Sequence, residues 1–489
     1  MSRNPTIVAM VLGFWVMSAG LVGCQTKDVT PPRVVSLDPA EGATGARLDR
    51  PFVAEFSEPL DPASVNAQAV ELTVDGAPLA YVVELSDDGR RLRLWISEQP
   101  PRLPATVTVE LKEAIRDPAG NRLQPRRWSF ELADWVPLGG VLNRDPAHDV
   151  SSLDLTWWNG PLVVWGEVDP DTGDASLYAA RWNDDAGRWE PLGERLNISP
   201  QTSCDYPSVA VFEGDPWVGF QCFVRGKAQI RAARWDGGDW QRSDALNHDP
   251  DRPAFTPLLA AGSDLYGAWR EWDTQSSSYT LVWSAYHGAW SPGRPDVVSG
   301  TPLSQWDFTA HGATLWAAYT DESGGPAGAV VDEGNGQGWT RLGGGPLDGD
   351  GQQGTLSGQV RLTVAPSGEL HALWKEGGAV YAARWSGGSW VSIGDRVSTT
   401  TRNYPHDAVF AGGTLWVLLA DGALEEVYLR YWDEDATAWK NLAGAIYKEN
   451  RYEARVTFSP GGWPMVAWTA MDPEGVVRLY VVGYNHVLP

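Results

Sequence analysis

A tryptophan-led segment that recurs about every 50 residues constrains the fold of this chain more than any other feature. Two stretches are nearly identical, RAARWDGGDW at 231–240 and YAARWSGGSW at 381–390. A repeat of this length cannot bury its apolar residues alone, so neighbouring copies must pack on one another. The tryptophans that open the seven copies are Trp135, Trp189, Trp240, Trp290, Trp339, Trp390 and Trp439.

Each repeat has one internal order, which residues 189–240 illustrate. The segment WEPLG is followed by a polar loop, then by the three apolar runs PSVAVF, WVGFQCF and IRAARW with short turns between them. Four strands in a repeat of roughly 50 residues are typical of a β-propeller blade. The phrases DGG and SGG are then the hairpin turns between third and fourth strands, and we expect the tryptophan after each turn to pack between blades.

The ends of the repeat region predict a closed ring. The last repeat stops after a third strand, LYVVGY, and WVPLG at 135–139 supplies the missing fourth strand. Pairing the two ends removes exposed sheet edges. The sequence therefore predicts an all-β chain, in which an N-terminal sandwich precedes a seven-bladed propeller over residues 134–489. Its 27 Trp and 53 Gly beside 5 Met suit short strands and tight turns better than helices.

The repeats resemble the W-x-x-L-G-G-x-L-N repeats of bacterial surface proteins and, more loosely, lectin and sialidase-like propellers. Sialidase Asp-boxes occupy the same turn between third and fourth strands, in the form S-x-D-x-G-x-x-W. The corresponding turns here read RWDGGDW and RWSGGSW and lack the full pattern. The resemblance therefore implies a propeller and only weakly a sialidase activity.

The N-terminus has the pattern of an exported lipoprotein. Arg3 precedes an apolar run too short for a bilayer span, as in a secretory signal. The run ends in Leu-Val-Gly-Cys24, which resembles the bacterial lipobox; this implies a signal peptide over 1–23, a diacylglyceryl anchor on Cys24 and a linker over 24–29. By the same resemblance, Gln25 favours the outer membrane. The alternatives are a plain signal peptide or a membrane helix with a chance cysteine.

Residues 30–133 predict a separate β-sandwich with Pro, Gly and Asp turns. The phrases F-S-E-P-L-D at 56–61 and I-R-D-P-A-G-N at 115–121 resemble the bacterial Ig-like domain of the SbsA type. That resemblance implies a spacer or adhesion module without chemistry of its own. Glu58, Asp61 and Asp117 offer oxygen ligands for calcium, although acids beside Pro and Gly more often form turns.

The net charge limits the kinds of partner that the chain can bind, and the state of its cysteines depends on the cellular compartment that the N-terminus predicts. A formal net charge of -24 argues against nucleic acid, since phosphate binding needs clustered Lys and Arg. Cys204 and Cys222 would lie in an oxidising compartment and form a disulfide, or stay two buried thiols. If the turn EGDP makes a tight hairpin, Cys222 lies opposite about Pro207 and Cys204 falls on the connecting loop.

The predicted ligand site combines aromatic and acidic side chains on the loop face of the propeller. Aromatic rings stack on sugar C–H faces and carboxylates accept from hydroxyls, so we expect a glycan there. The alternative is that the rings pack between blades and the acids pair with Arg181, Arg234, Arg384 and Arg430. The aromatic candidates at the entry of first strands and the acids on second strands are Tyr206, Phe255, Trp306, Tyr404, Tyr452, Glu167, Glu271, Asp321, Glu376 and Asp421.

The function expected from the sequence is non-catalytic binding or adhesion at the cell envelope, with a glycan or a surface protein as ligand. An exported, sialidase-like hydrolase is the alternative. The chain has no G-x-S-x-G, no H-E-x-x-H and no glycine-rich phosphate loop. No cofactor is predicted; calcium, and a metal held by the loop histidines His148, His248 and His406, are further alternatives.

Overall fold

The computed structural model describes residues 28–301, 305–321, 328–335, 338–351, 357–398, 400, 403–421, 426–448 and 451–486. The described residues divide into two compact units. One contains the residues up to Val136 together with those from Tyr484 onward, and the other is Pro137–Gly483. Cys24 and the preceding leader lie outside the described residues. No helix among the described residues is long and apolar enough to span a bilayer.

The first unit is a sandwich of two four-stranded sheets, with the strand orders β1-β2-β6-β5 and β4-β3-β7-β8. Alternating residues of these strands are buried, as in FVAEF of β2, so the two sheets share one apolar layer. Phe52 and Phe130 meet in that layer with ring centroids 4.7 Å apart. The strands are β1 (Val34–Asp38), β2 (Phe52–Phe56), β3 (Val70–Val74), β4 (Ala77–Pro78), β5 (Tyr81–Leu85), β6 (Arg91–Ile96), β7 (Ala105–Leu111) and β8 (Arg126–Leu132), with a 3-10 turn at Pro62–Ser64.

The second unit consists of seven antiparallel sheets, each of which is a blade. Blades 1 to 6 are β10–β13, β14–β17, β18–β21, β22–β25, β26–β29 and β30–β33, and blade 7 is β35–β37 with β9. The strands are β9 (Trp135–Pro137), β10 (Asp149–Trp157), β11 (Pro161–Val168), β12 (Ala175–Asn183), β13 (Arg188–Pro191), β14 (Cys204–Phe212), β15 (Asp215–Val224), β16 (Lys227–Trp235), β17 (Trp240–Arg242), β18 (Ala254–Ala261), β19 (Leu265–Asp273), β20 (Ser278–Tyr286), β21 (Arg294–Thr301), β22 (Trp306–His311), β23 (Thr314–Asp321), β24 (Gly328–Gly334), β25 (Trp339–Arg341), β26 (Ser357–Val364), β27 (Leu370–Glu376), β28 (Ala379–Ser386), β29 (Ser389–Ser392), β30 (Asn403–Ala411), β31 (Thr414–Asp421), β32 (Glu426–Asp433), β33 (Ala438–Asn441), β34 (Tyr447–Lys448, which also pairs with β32), β35 (Arg451–Phe458), β36 (Pro464–Met471) and β37 (Val477–Tyr484).

The ring closes as the sequence predicts. The segment after Trp135 forms the fourth strand of blade 7, with the backbone N–H of Leu138 donating to Val481 O at 2.9 Å. The N–H of Leu142 continues the pairing to Leu479 O at 3.0 Å. The first strands of successive blades contact one another all the way round, from β10 through β14 and on to β35, which contacts β10 again. Seven blades therefore surround one axis, with their first strands innermost.

The repeated phrase R-W-x-G-G-x-W of blades 2 and 5 and the longer turn RWNDDAGRW of blade 1 are hairpins whose two tryptophans face each other. Trp182 pairs with Trp189 across the blade 1 hairpin, with ring centroids 5.5 Å apart. The glycine of the preceding W-x-x-L-G segment, Gly139, has φ +75°, and an added Cβ would lie 3.1 Å from Trp189 Cδ1. Glycine is therefore required both by the backbone and by the ring beside it. The same contact recurs at Gly193, Gly343 and Gly394.

Three of the fourth-strand tryptophans also connect neighbouring blades by hydrogen bonds. The indole N–H of Trp189 donates to Leu138 O at 2.7 Å, and that of Trp240 donates to Leu192 O at 2.8 Å. Trp439 repeats the bond to Ile393 O at 3.0 Å. These rings lie on the outer strand of the blade before them, which explains why the chain repeats the same ten residues.

Cys204 and Cys222 form a disulfide inside blade 2. The two residues face each other directly in the β14–β15 pair, with Cα atoms 4.1 Å apart. Their expected register was wrong, because Cys204 belongs to strand β14 and not to the connecting loop. A β-bulge between Asp205 and Ser208 adds residues to β14. Cys222 therefore pairs with Cys204 and not with Pro207, the partner expected from a tight hairpin.

Candidate functional site

The aromatic candidates differ in how much of each ring is exposed. Tyr206 and Tyr404 are 48% and 37% exposed. Phe255 is half-buried against Tyr279, with ring centroids 6.2 Å apart. Trp306 is buried in an apolar cluster between blades 3 and 4. The side chain of Tyr452 lies outside the described residues. Tyr206 and Tyr404 are therefore the described aromatic candidates with the most accessible rings.

Three of the acidic candidates hold the loops between blades. Glu167 is buried and accepts from the backbone N–H of Arg144 and Asp145, and from the indole N–H of Trp165 at 2.7 Å. Side chains alternate between the two faces of a strand, so residues two apart lie on the same face. The spacing W-x-E on a second strand therefore brings the indole and the carboxylate together. The carboxylate is satisfied by its own blade and the adjoining loop.

Glu271 and Glu376 repeat this arrangement in blades 3 and 5. Glu271 accepts from the N–H of His248 at 2.5 Å and of Asp249 at 3.1 Å, and from the Trp269 indole at 3.0 Å. Glu376 accepts from Gly349 N–H at 2.7 Å and from the Trp374 indole at 3.0 Å. We call Glu167, Glu271 and Glu376 the loop clamps. Their bonds go to backbone and indole groups and not to the repeat arginines.

The two remaining acidic candidates have other partners. Asp321 lies 3.4 Å from a guanidinium nitrogen of Arg341, and Asp421 is buried and accepts from the hydroxyl of Thr400 at 2.6 Å. The repeat arginines bond elsewhere: Arg181 to Glu190, Arg234 to Asp215, Arg384 to Glu369, and Arg430 to backbone carbonyls.

The first strands carry a set of acids that the sequence analysis missed. Asp154 accepts from the N–H of Leu155 on its own strand at 2.9 Å and from Val209 of the next blade at 2.8 Å. Asp307 and Asp407 form the same two bonds in blades 4 and 6, the second going to Leu362 at 2.7 Å and to Val456 at 2.9 Å. Each carboxylate thus links the innermost strands of adjacent blades.

Two arginines occupy the equivalent position between these acids. Arg361 follows Asp307 around the axis, and Arg455 lies between Asp407 and Asp154, with its Nε 3.4 Å from Asp154 Oδ1. Burial lowers the pKa of Arg455, but the carboxylate of Glu453 on its own strand raises it. Asp154, Asp407 and Asp307, from three different blades, add to that rise. We call Asp307, Arg361, Asp407, Arg455 and Asp154 the axial ring, in which charges alternate over five consecutive blades.

Burial raises the pKa values of the axial-ring acids. Burial raises the pKa of Asp154 to about 6, against the attraction of Arg455. The pKa values of Asp307 and Asp407 are also raised by burial, and the ring arginines oppose that rise. Because the charges alternate around the axis, the attraction between neighbouring groups offsets the free-energy cost of burying each of them.

A β-bulge lies on the first strand just outside the axial ring in six blades. In blades 2, 3 and 5 the bulge places Tyr206, Thr256 and Gln359 at φ +55°, +53° and +50°, a conformation uncommon for residues with a Cβ. Bulges re-aim side chains and are frequent beside functional sites. Here they lie around the axis at the loop-face end of the first strands, a surface that we call the axial mouth.

Four side chains from three blades meet at the axial mouth. Asp205 accepts from the hydroxyl of Ser152 across the blade 1–2 boundary, and burial raises its pKa, with Glu453 of blade 7 adding to the rise. Burial also raises the pKa of the Tyr206 phenol; Asp205 and Glu453 add to this rise and Arg270 opposes it. Two carboxylates, a phenol and a guanidinium are therefore close together beside an exposed ring.

A second aromatic group lies farther round the mouth. The ammonium of Lys375 is 3.7 Å from the centroid of the Tyr404 ring, a cation–π contact between blades 5 and 6. Tyr404 pairs with Ala420 just outside the bulge of blade 6, as Asp205 pairs with Gln221 in blade 2. The sequence indicated the mouth through the residues at the entry to each first strand. The bulges that contain Tyr206 and Glu453 have no such signal.

The possible metal ligands are found in two places. Glu58 and Asp117 lie with Asp28, one carboxylate oxygen of each within 4.8 Å of the others, whereas Asp61 accepts from Ala63 N–H at 3.0 Å in a local turn. Asp348, Asp350 and Glu376 form the other group of three. His148, His248 and His406 belong to neither group within the described residues. Calcium binding stays a prediction.

Known proteins match the two parts of the chain differently. The family described as bacterial Ig-like domain matches residues 28–131, so the sandwich is a domain of that kind. Alkane uptake protein B of Marinobacter nauticus is 31% identical over 193 residues, which are 38% of this chain and 17% of that protein. This chain thus spans only a small part of that relative.

Two solved structures resemble the chain at low identity. An α-L-arabinanase of Penicillium chrysogenum, solved with arabinobiose, is 17% identical with a TM-score of 0.40, covering 60% of this chain and 96% of that chain. The β-propeller domain of the Trilobed protease of Pyrococcus furiosus is 9% identical with a TM-score of 0.45, covering 70% of this chain and 94% of that chain.

Proposed function

We propose that the protein is a lipoprotein of the bacterial cell envelope whose propeller binds a glycan at the axial mouth. Cys24 carries the diacylglyceryl anchor, and the bacterial Ig-like domain acts as the spacer between membrane and propeller. The lipobox-like sequence before Cys24 supports the anchor. The similarity of part of the chain to a protein named for alkane uptake supports a place in the envelope.

The observation that carries the proposal is the exposed ring of Tyr206 beside Asp205, Glu453 and Arg270. An aromatic face stacks on the C–H face of a sugar, carboxylates accept from its hydroxyls and a guanidinium donates to its oxygens. These groups come from different blades, so one ligand placed over the axial mouth contacts several of them. Tyr404, with Lys375 against its ring, extends the same surface for a second sugar unit.

The loop clamps have no part in this proposal. Their carboxylates are buried and accept two or three hydrogen bonds each inside the blade, so a ligand cannot reach them. Asp205 and Glu453 are also hydrogen-bonded, but their side chains stay partly exposed. The glycan contacts are therefore assigned to groups that the sequence analysis did not single out, Asp205, Glu453 and Arg270, together with Tyr206 and Tyr404, which it did.

A glycan array with the full chain in detergent tests the binding. We expect Tyr206→Ala and Tyr404→Ala to lose most of the signal on any glycan that the wild type retains, about tenfold in affinity or more. Val391→Ala, which truncates an exposed apolar residue on the outer strand of blade 5, is the matched control. Retention of all glycans by both tyrosine variants contradicts the proposal.

Hydrolysis of the bound glycan is the second candidate function, and Asp205 favours it. A carboxyl group whose pKa is raised by burial, with a second carboxylate nearby, suits a general acid. A hydrolysis screen on the glycans that bind distinguishes the two functions. Asp205→Asn, which keeps the acceptor for Ser152, should abolish turnover and preserve binding; absence of turnover by the wild type leaves binding as the function.

The anchor has its own test. Cys24→Ser should abolish labelling by a radioactive fatty acid and release the protein from the membrane fraction. Unchanged membrane association of this variant contradicts lipid anchoring and leaves the glycan site unaffected.

A further inference from the structure

The boundary between blades 2 and 3 departs from the packing described above. The repeat places Leu-Gly three residues after the leading tryptophan, as in Leu192-Gly193, and the next blade packs its paired tryptophans on that glycine. After Trp240 the same positions hold Ser243 and Asp244. The glycine that admits the rings is therefore missing on the blade 2 side.

Blade 3 departs on its own side of the same boundary. Its hairpin runs from Tyr286 to Trp290, one residue shorter than the Trp235–Trp240 hairpin. Trp290 does not repeat the bond of Trp240 to the preceding blade: its indole nitrogen, like that of Trp390 in blade 5, is buried and has no hydrogen-bond partner among the described residues. The carbonyl that would accept it, Ser243 O, accepts from Arg231 at 2.9 Å.

A cleft of about 400 Å³ lies at this boundary, a volume within the range of small-ligand sites. Trp217, Tyr286 and Trp290 form one wall; the ring centroid of Trp217 is 4.5 Å from that of Tyr286 and 6.2 Å from that of Trp290. The cleft lies at the end of the strands with the third-to-fourth-strand hairpins. It is therefore distinct from the axial mouth, which lies where the first strands begin.

Polar groups held in fixed positions form the opposite wall. Arg234 donates to Asp215 through Nε at 2.8 Å and Nη2 at 2.5 Å, and Gln241 donates to Asp236 at 2.8 Å. Arg242, also in the lining, donates to three backbone carbonyls. The lining has two carboxylates and two guanidinium groups, so its charges balance. A neutral ligand rich in hydroxyls fits this wall better than an anion or a cation.

We propose that the cleft between blades 2 and 3 binds a neutral saccharide unit, as a second site independent of the axial mouth. The aromatic wall takes one C–H face of the sugar. The carboxylate of Asp215, whose bonds to Arg234 use one oxygen, and the amide of Gln241 bond its hydroxyls. A propeller with two sugar sites on different faces binds a glycan polymer by avidity even when each site alone is weak.

Saturation-transfer NMR with the full chain in detergent tests the site, using glucose, galactose, mannose and N-acetylglucosamine and their disaccharides as neutral probes and glucuronate as the charged probe. Arg234→Ala, Gln241→Ala and Ala289→Trp are the variants, the last placing a ring in the cleft from an exposed hairpin turn. Arg384→Ala is the matched control, since Arg384 has the same position in blade 5, where the tryptophan–glycine packing is intact.

We expect at least one neutral probe to bind, about tenfold more weakly in each cleft variant and unchanged in Arg384→Ala, with glucuronate weaker than the neutral sugars. Binding that survives Ala289→Trp overturns the proposal, as does a panel in which no neutral probe binds. Binding that responds only to Tyr206→Ala and Tyr404→Ala overturns this second site while leaving the axial mouth in place. Circular dichroism of each variant separates loss of binding from loss of fold.

Discussion

The buried carboxylates of the propeller fall into two groups that do different structural work. The loop clamps, such as Glu271 on a second strand, bind the loop and the indole of their own neighbourhood. The axial-ring acids, such as Asp407 on a first strand, bind the next blade and alternate with arginines. Carboxylates on second strands thus hold a nearby loop, whereas carboxylates on first strands join neighbouring blades. The comparison predicts that the axial ring depends on its charges and the clamps on their hydrogen bonds.

Removing an axial-ring arginine should have the largest effect. Arg455→Met leaves Asp154, Asp407 and Glu453 without their shared cation, and breaking a buried pair costs about 3–5 kcal/mol. Because 22% of the Arg455 side chain stays exposed, we expect a loss in the free energy of unfolding near the lower end, measured by urea denaturation at pH 7. The exposed Arg384→Met is the control and should lose far less. Equal losses for the two variants would show that the ring is not electrostatically coupled.

Lowering the pH usually removes the stabilising contribution of a paired carboxylate. At the axial ring we expect the opposite, an increase in stability as the pH falls. The pKa of Asp154 rises from 3.8 to about 6 on folding, so the folded state binds the proton more tightly and the contribution of Asp154 to stability falls as pH rises between 4 and 6. A difference of about two pKa units between the folded and the unfolded state corresponds to about 2–3 kcal/mol of unfolding free energy. The difference in unfolding free energy between Asp154→Asn and wild type should shift in favour of the variant by that order from pH 4 to pH 7. A difference that does not change with pH would rule this out.

A loop clamp should respond to the loss of its charge by a smaller amount. Glu271→Gln keeps one carbonyl acceptor and turns the other oxygen into a donor facing the loop N–H groups of His248 and Asp249. Loss of a charge-assisted bond costs about 2 kcal/mol. Glu194→Gln, at an exposed acid in the loop after blade 1, is the control and should be neutral. Urea denaturation measures both, and a neutral Glu271→Gln would mean that the loop needs no clamp.

The fold could be predicted from the sequence because its determinants are local and repeated. The spacing of the tryptophans, the G-G hairpins and the incomplete last repeat each predict a feature of the structure that depends on backbone geometry alone. Gly139 shows why: its φ of +75° and its distance from the Trp189 ring leave one residue type. Two details were wrong. The cysteine register failed because a bulge adds residues to one strand without a sequence signal, and Trp290 does not open the fourth strand of blade 3, which begins at Arg294.

The candidate site was less predictable, because it depends on contacts between repeats. The sequence placed Glu271 on one face of its strand with Trp269, which is correct, but the loop amides that occupy its oxygens come from the previous connection. Asp407 and Val456 are 49 residues apart and meet only when blade 7 packs against blade 6. Spacing along a strand predicts which side chains share a face; it does not predict which blade supplies their partners.

The smallest effect on stability is expected for Tyr206 at the axial mouth, because this residue belongs neither to the loop clamps nor to the axial ring. Tyr206 is 48% exposed and has φ +55°, a conformation that glycine adopts without strain. Tyr206→Gly therefore loses little packing and relieves the backbone, so the unfolding free energy should stay within about 1 kcal/mol of wild type, on the stabilising side. The same variant should lose the glycan, because the stacking ring is gone. A melting temperature that falls as far as that of Glu271→Gln would instead make Tyr206 part of the framework that holds blades 1 and 2 together, and the exposed ring would then need no ligand to explain it.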